Sequence, residues 1–151
     1  MLVGFLYDRR HTRRISDFGG LKKSMPLYAG IFLFTSFASI GLPGLNGFVG
    51  EFMILMGSFP SFKILSSIAA FGVVLAAIYM LWAYQRIFNG QLNNDENAVL
   101  TDLNSKELVA VGPLLILMLF IGVYPSFVES YIVNDVSIIY DAINSLSGGL
   151  E

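Results

Sequence analysis

Hydrophobic and polar residues fall into long blocks along this chain rather than a fine alternation, and the blocks predict helices. Met1–Tyr7 is apolar and runs into a polar stretch, Asp8–Lys23, carrying Arg9, Arg10, Arg13, Arg14, Lys22 and Lys23 against Asp8 and Asp17. Thr12 is a candidate N-cap and Gly19–Gly20 a stop, which predicts a short surface helix between them. Pro26 suits a first helical turn, and Leu27–Leu42 follows as 16 residues without a charge. The run stops at Gly41-Leu42-Pro43-Gly44-Leu45-Asn46-Gly47, where proline lacks a backbone donor and the glycines favour non-helical backbone. A second apolar run, Gly47–Phe59, has 13 residues. As a helix it reaches about 20 Å, short of the ~30 Å hydrocarbon core of a bilayer. Residues 26–59 are therefore expected to form one broken span, with Gly41, Pro43, Gly44, Asn46 and Gly47 at the break.

Beyond it, Pro60–Lys63 predicts a turn and residues 62–88 a full-length span. Gly72 and Ala76 give that span a small-residue pair suited to close helix packing, and Trp82, Tyr84 and Arg86 suit a membrane interface. Asn89–Lys106 reads as a polar connector and residues 107–125 as a last span, closed by Tyr124-Pro125. In the tail, 126–151, Ile132, Val136, Ile139, Ile143 and Leu146 form one helical stripe. Its charges, Glu129, Asp135, Asp141 and Glu151, are all acidic, which fits packing on protein at least as well as on lipid. The expected fold is an all-α integral membrane protein in one membrane domain, 1–151. It has about three transmembrane spans, the first broken, plus a C-terminal amphipathic helix.

Composition supports this reading. Charged residues make up 13% of the chain against roughly 25% in a soluble domain, and mean hydropathy is +0.68. Between Ser24 and Gln85 only Glu51 and Lys63 are charged. A water-soluble fold is nearly excluded. With no cysteine and one histidine, the chain offers no disulfide, iron–sulfur or thiolate zinc site. No phosphate-binding glycine motif and no basic stripe with interleaved aromatics points to nucleotide or nucleic acid. The apolar-then-basic order at the N-terminus is the reverse of a signal peptide. Met1–Tyr7 reads as the end of a preceding helix, so the chain is expected to be the C-terminal part of a larger membrane protein. Counting three spans, eight of the nine Lys and Arg residues fall on one side and Lys63 alone on the other. That places loop 8–25 in the cytoplasm and the acidic tail on the outer side.

Glu51 is the one charge inside the apolar spans, just past the break. A carboxylate at that depth must face protein or a hydrated cavity, and non-helical backbone there has the same requirement. Ends of half-helices are common ion sites in transporters. Glu51 is therefore either part of a proton or ion path or a strut fixed to a cation of another helix. The glycines at 41, 44, 47 and 50 equally suit close packing. His11, Ser36, Ser39 and Tyr79 are weaker proton-path candidates. His11 lies beside four arginines that disfavour its cationic form, and Ser in a membrane helix more often bonds its own backbone.

Tyr7-Asp8-Arg9-Arg10-His11-Thr12-Arg13, Phe18-Gly19-Gly20-Leu21, Met25-Pro26, the segment from Gly41 through Glu51-Phe52, and Gly122-Val123-Tyr124-Pro125 together resemble the subunit M family of respiratory complex I. This is the antiporter-like proton-channel subunit of NADH:quinone oxidoreductase, akin to mitochondrial subunit four, and the resemblance is to its C-terminal part. It covers residues 1–125. The resemblance implies inverted repeats, each with a broken helix, and proton translocation coupled indirectly to electron transfer from NADH to quinone. It assigns Glu51 to proton transfer. Most related subunits carry Lys at that position, so Glu favours subunit M over a multisubunit cation/proton antiporter, the alternative reading. A non-functional truncated scaffold is a third. The resemblance further implies no cofactor or metal in this chain, with NADH, flavin, iron–sulfur clusters and quinone handled by other subunits. The implied partners are the lipid bilayer and other membrane-arm subunits, especially two other antiporter-like ones. The implied location is the bacterial plasma (inner) membrane.

Overall fold

A computed structural model describes residues 1–92 and 94–147, including all their side chains except those at 134, 135 and 141–147. The described chain is helical throughout: α1 (Leu2–Arg10), a 3-10 turn (Ile15–Asp17), α2 (Pro26–Ser39), α3 (Asn46–Ser58), α4 (Lys63–Phe88), α5 (Asp95–Ala98), α6 (Ser105–Val123) and α7 (Ser126–Ser147). α4 and α6 are long and apolar enough to cross a membrane. Their 26 and 19 residues reach about 39 and 28 Å. Only 6% of the most apolar stretch of each is buried within the chain. Apolar helices with this much outward-facing surface need lipid or further protein around them.

Pro26 opens α2 at a favoured position. The orphan amides behind it are capped from far along the chain: the Asp102 carboxylate accepts from Leu27 N at 2.8 Å and Tyr28 N at 3.0 Å. α6 begins with a capping box. Asn104 accepts from the amides of Lys106 and Glu107, and Glu107 accepts from the amide of Asn104. Arg9 joins these two starts to α1. Its guanidinium donates to both Glu107 oxygens (2.8 and 2.7 Å) and to the carbonyls of Phe5, Thr101 and Asp102. Every donor of the fork is thus used. Arg9→Lys replaces that planar fork with a point charge. Its expected cost is about 1 kcal/mol, from partly buried acceptors left without donors, read as a lower melting temperature of the assembled subunit.

The loop strip 20–22 lies along the end of α4: Gly20, Leu21 and Lys22 donate their amides to the carbonyls of Asn89, Ile87 and Phe88. The end of α1, the starts of α2 and α6 and the end of α4 therefore meet at one end of the molecule. Beneath them an aromatic cluster joins α2 to α4, with ring centroids 4.7 Å apart for Tyr84–Phe88, 5.1 Å for Phe32–Phe88 and 5.7 Å for Tyr28–Phe88. The Tyr28 hydroxyl donates to Leu2 O at 3.0 Å, which holds α1 on this core. At the other end the Ser58 and Ser66 hydroxyls lie 2.9 Å apart, closing the turn from α3 into α4.

Several boundaries differ from the sequence expectation. The surface helix after Thr12 is only a 3-10 turn, because Thr12 and Ser16 spend their hydroxyls on Asp17. Hydrogen bonds from Thr12 and Ser16, with Arg14 and Arg10 nearby, hold the Asp17 carboxyl below its ordinary value of 3.8. Its contribution to loop order is therefore present above that pH and lost on acidification through the lowered value. Lys63 is the first residue of α4 rather than the end of a turn. The connector holds a one-turn helix, α5, capped by Asn94. On α7, Ile132, Val136 and Ile139 are exposed, and Ile132, Val133 and Val136 line an open groove with Met53 of α3. The side chains of Asp135, Asp141, Ile143 and Leu146, and residue Glu151, lie outside the described residues.

Candidate functional site

α2 ends at the interruption in a Schellman arrangement. Ile40 N donates to Ser36 O and Leu42 N reaches back to Phe37 O, both at 3.0 Å. Gly41 between them is left-handed, with φ of 72°. Leu45 N donates to Leu42 O at 3.1 Å, with Gly44 at φ 92°, and α3 starts at Asn46 without a side-chain cap. The chain thus leaves one helix and enters the next in six residues, Ile40–Leu45. At this point carbonyls of α2 and amides of α3 lack intrahelical partners.

Three glycines let the pieces close. A Cβ at Gly47 would overlap the Ala38 carbonyl oxygen. A Cβ on Gly122 of α6 would overlap the backbone of Gly44 and Leu45. The third contact is the informative one: a Cβ at Gly41 would overlap the Glu51 carboxylate itself. Side chains on a helix lean toward its N-terminus, so Glu51, in the second turn of α3, reaches back over the interruption and rests on bare backbone. Gly50, by contrast, has open space beside it. The glycine pattern therefore combines a packing role (47 and 122) with a chain-reversing role (41 and 44).

Glu51 is half-buried. Among the described residues nothing donates a hydrogen bond to it and no cation pairs with it; the ion pairs are Arg9–Glu107 and Arg10–Glu96. A strut would need its cation from outside these residues. The Asn46 side-chain oxygen, in the first turn of α3, is likewise buried without a partner. The other sequence candidates lie apart. Ser36 is buried but donates to Phe32 O at 2.7 Å. Ser39 is exposed, and Tyr79 is 60% exposed on α4. His11 is exposed and left-handed at the end of α1, its ring edge-on to Tyr7. No hydrogen bond joins any of the four to Glu51 among the described residues. Those residues also hold no group of three or more metal-ligating side chains. Sequence reasoning missed Gly122 as a site residue. Gly122→Ala is expected to cost about 1–3 kcal/mol through overpacking against the Gly44 and Leu45 backbone, read as a fall in melting temperature.

The family model for the transmembrane region of NADH:quinone oxidoreductase and Mrp antiporter subunits matches residues 1–78, which include α2, the interruption, α3 and Glu51. The chain belongs to this family. It is 43% identical over 132 residues to NADH-quinone oxidoreductase subunit M of Rhodobacter capsulatus, covering 87% of this chain and 26% of that protein. It is 41% identical over 125 residues to NADH-ubiquinone oxidoreductase chain 4 of Arabidopsis thaliana, covering 83% and 25%. In three dimensions it is similar to a chain of respiratory complex I from Thermus thermophilus with bound NADH. There the TM-score is 0.75, the identity 35%, and the match covers 83% of this chain and 26% of that one. The chain spans about a quarter of the length of the curated relatives it matches.

Proposed function

We propose that this chain is the C-terminal part of an antiporter-like subunit of NADH:quinone oxidoreductase, and that Glu51 takes up and releases a proton on a path across the membrane. The observation that carries the proposal is the Glu51 carboxylate lying on Gly41 between α2 and α3, with no ion pair among the described residues. α2 and α3, of 14 and 13 residues, are each too short to cross ~30 Å of hydrocarbon. In series they match the length of α4, which runs back from the end of α3 to the start of α2. This supports a three-span arrangement with the first span broken at 40–45. The shared end of α1, α2, α4 and α6 then lies with the basic loop 8–25 on the cytoplasmic side, by the Lys/Arg asymmetry.

In this arrangement a dry wall favours the neutral acid, and a cation brought near on another helix favours the carboxylate. A conformational change that moves such a cation drives the carboxyl to bind or give up one proton, passed to or from water in the interruption. This chain's part is to hold the carboxyl, keep lipid off it through the α6 contact at Gly122, and open the backbone to water at 40–45. Electron transfer from NADH to quinone belongs to other subunits of the complex, and the other antiporter-like subunits transmit the resulting change along the membrane. The test is proton pumping by assembled complex carrying Glu51→Gln. Loss is expected, and undiminished pumping would remove Glu51 from the path.

A further inference from the structure

We propose that Lys22, Lys23 and Arg86, with Trp82, form a seat for the phosphate-bearing headgroup of an anionic phospholipid at the end of α4. Six basic residues stand in the stretch from Asp8 through Lys23; of these, Arg13 lies over the Tyr7 ring and Arg14 near Asp17. Arg9 and Arg10 are paired with Glu107 and Glu96. Among the described residues, Lys22, Lys23 and Arg86 are exposed and have no carboxylate within ion-pair distance. The lysines are not on a loose tail. Leu21 and Met25 on either side of them are fully buried, and the Lys22 amide donates to Phe88 O at 3.1 Å, two residues from Arg86. Three unneutralised cations are thus held at one helix end by backbone. Arg86 stacks over the Trp82 ring at 4.2 Å, and that ring is 51% exposed. Below it Ile78, Leu75 and Phe71 expose an apolar strip one acyl chain can follow. A fixed basic cluster above an aromatic belt and an apolar strip matches a lipid with a negative headgroup better than a protein surface, where such cations would need carboxylates.

The inference rests on reading α4 as a membrane span, and the experiment separates the two. A photoreactive amino acid replaces Gln85 in the full-length subunit of the intact complex. The complex sits in nanodiscs holding equal phosphatidylglycerol and phosphatidylcholine, and the adducts are identified by mass spectrometry. Adducts are expected to favour phosphatidylglycerol by about tenfold. The preference should fall to parity in Lys22→Gln/Lys23→Gln/Arg86→Gln and persist in excess inorganic phosphate. Parity in the unsubstituted seat overturns the seat while leaving α4 in lipid. Adducts to protein alone overturn the seat by placing another subunit there. Adducts to neither lipid nor protein place the helix end in water and overturn both readings.

Discussion

In complex assembled with Glu51→Gln, proton pumping through this subunit is expected to fall by about tenfold or more, the scale on which loss of a proton-transfer group shows. Glutamine keeps the volume and the hydrogen-bonding tip of glutamate but binds no proton in the physiological range. The helix interruption has no need of the charge: Glu51 makes no ion pair or hydrogen bond among the described residues, and Gly41, Gly47 and Gly122 set the local packing. Assembly and thermal stability should therefore survive, and coupled NADH:quinone turnover should fall with pumping. Glu51→Asp keeps the carboxyl but withdraws it from Gly41 by one methylene, so its effect should be milder. Pumping at the unsubstituted level in a fully assembled Glu51→Gln complex would sink the assignment. A collapse of assembly in Glu51→Gln, rescued by neutralising a Lys or Arg on another helix or by placing a carboxylate beside it, would point to the strut instead.

Gly41→Ala is the second large effect, and its cause differs. The residue has a left-handed φ of 72°, which costs an L side chain roughly 1–2 kcal/mol. Its new methyl would also occupy the place of the Glu51 carboxylate. Backbone and carboxylate cannot both stay. The expected result is an assembled but less stable complex with pumping reduced toward the Glu51→Gln level, although Glu51 is still present. Gly44→Ala is the control. Gly44 has a φ of 92° and open space beside it, so it carries the backbone cost without touching Glu51. It should lose stability while retaining more activity than Gly41→Ala. Equal activity losses in the two variants would mean that backbone strain, and not the carboxylate position, matters at 41.

Much of this was legible in the sequence because the controlling signals are local. The α4 and α6 runs show in hydropathy alone. The turn between α2 and α3 shows in Gly41, Pro43 and Gly44, whose backbone preferences do not depend on distant residues. Glu51 stands out by charge against an apolar background. What stayed hidden depends on long-range pairing. Arg9 and Arg13 look alike in a basic loop, yet one fills a site with four acceptors on α6 and its connector and a fifth on α1, and the other lies over the Tyr7 ring. Asp102 gives no hint in sequence that it caps the Leu27 amide of α2, 75 residues earlier. Gly122 could be noticed as a glycine, but its approach to the interruption follows only from how α6 docks. Tyr79 lies inside the predicted span, and its exposure on α4 follows only from how α4 packs.

Glu51 is expected to change protonation state during turnover. Infrared difference spectroscopy of the intact complex, recorded between resting and turning-over states, reads this through the carbonyl stretch of a protonated carboxyl. A turnover-dependent carboxyl band that disappears in Glu51→Gln is the predicted result. A difference spectrum in the carboxyl region identical in the unsubstituted and Glu51→Gln complexes would contradict it.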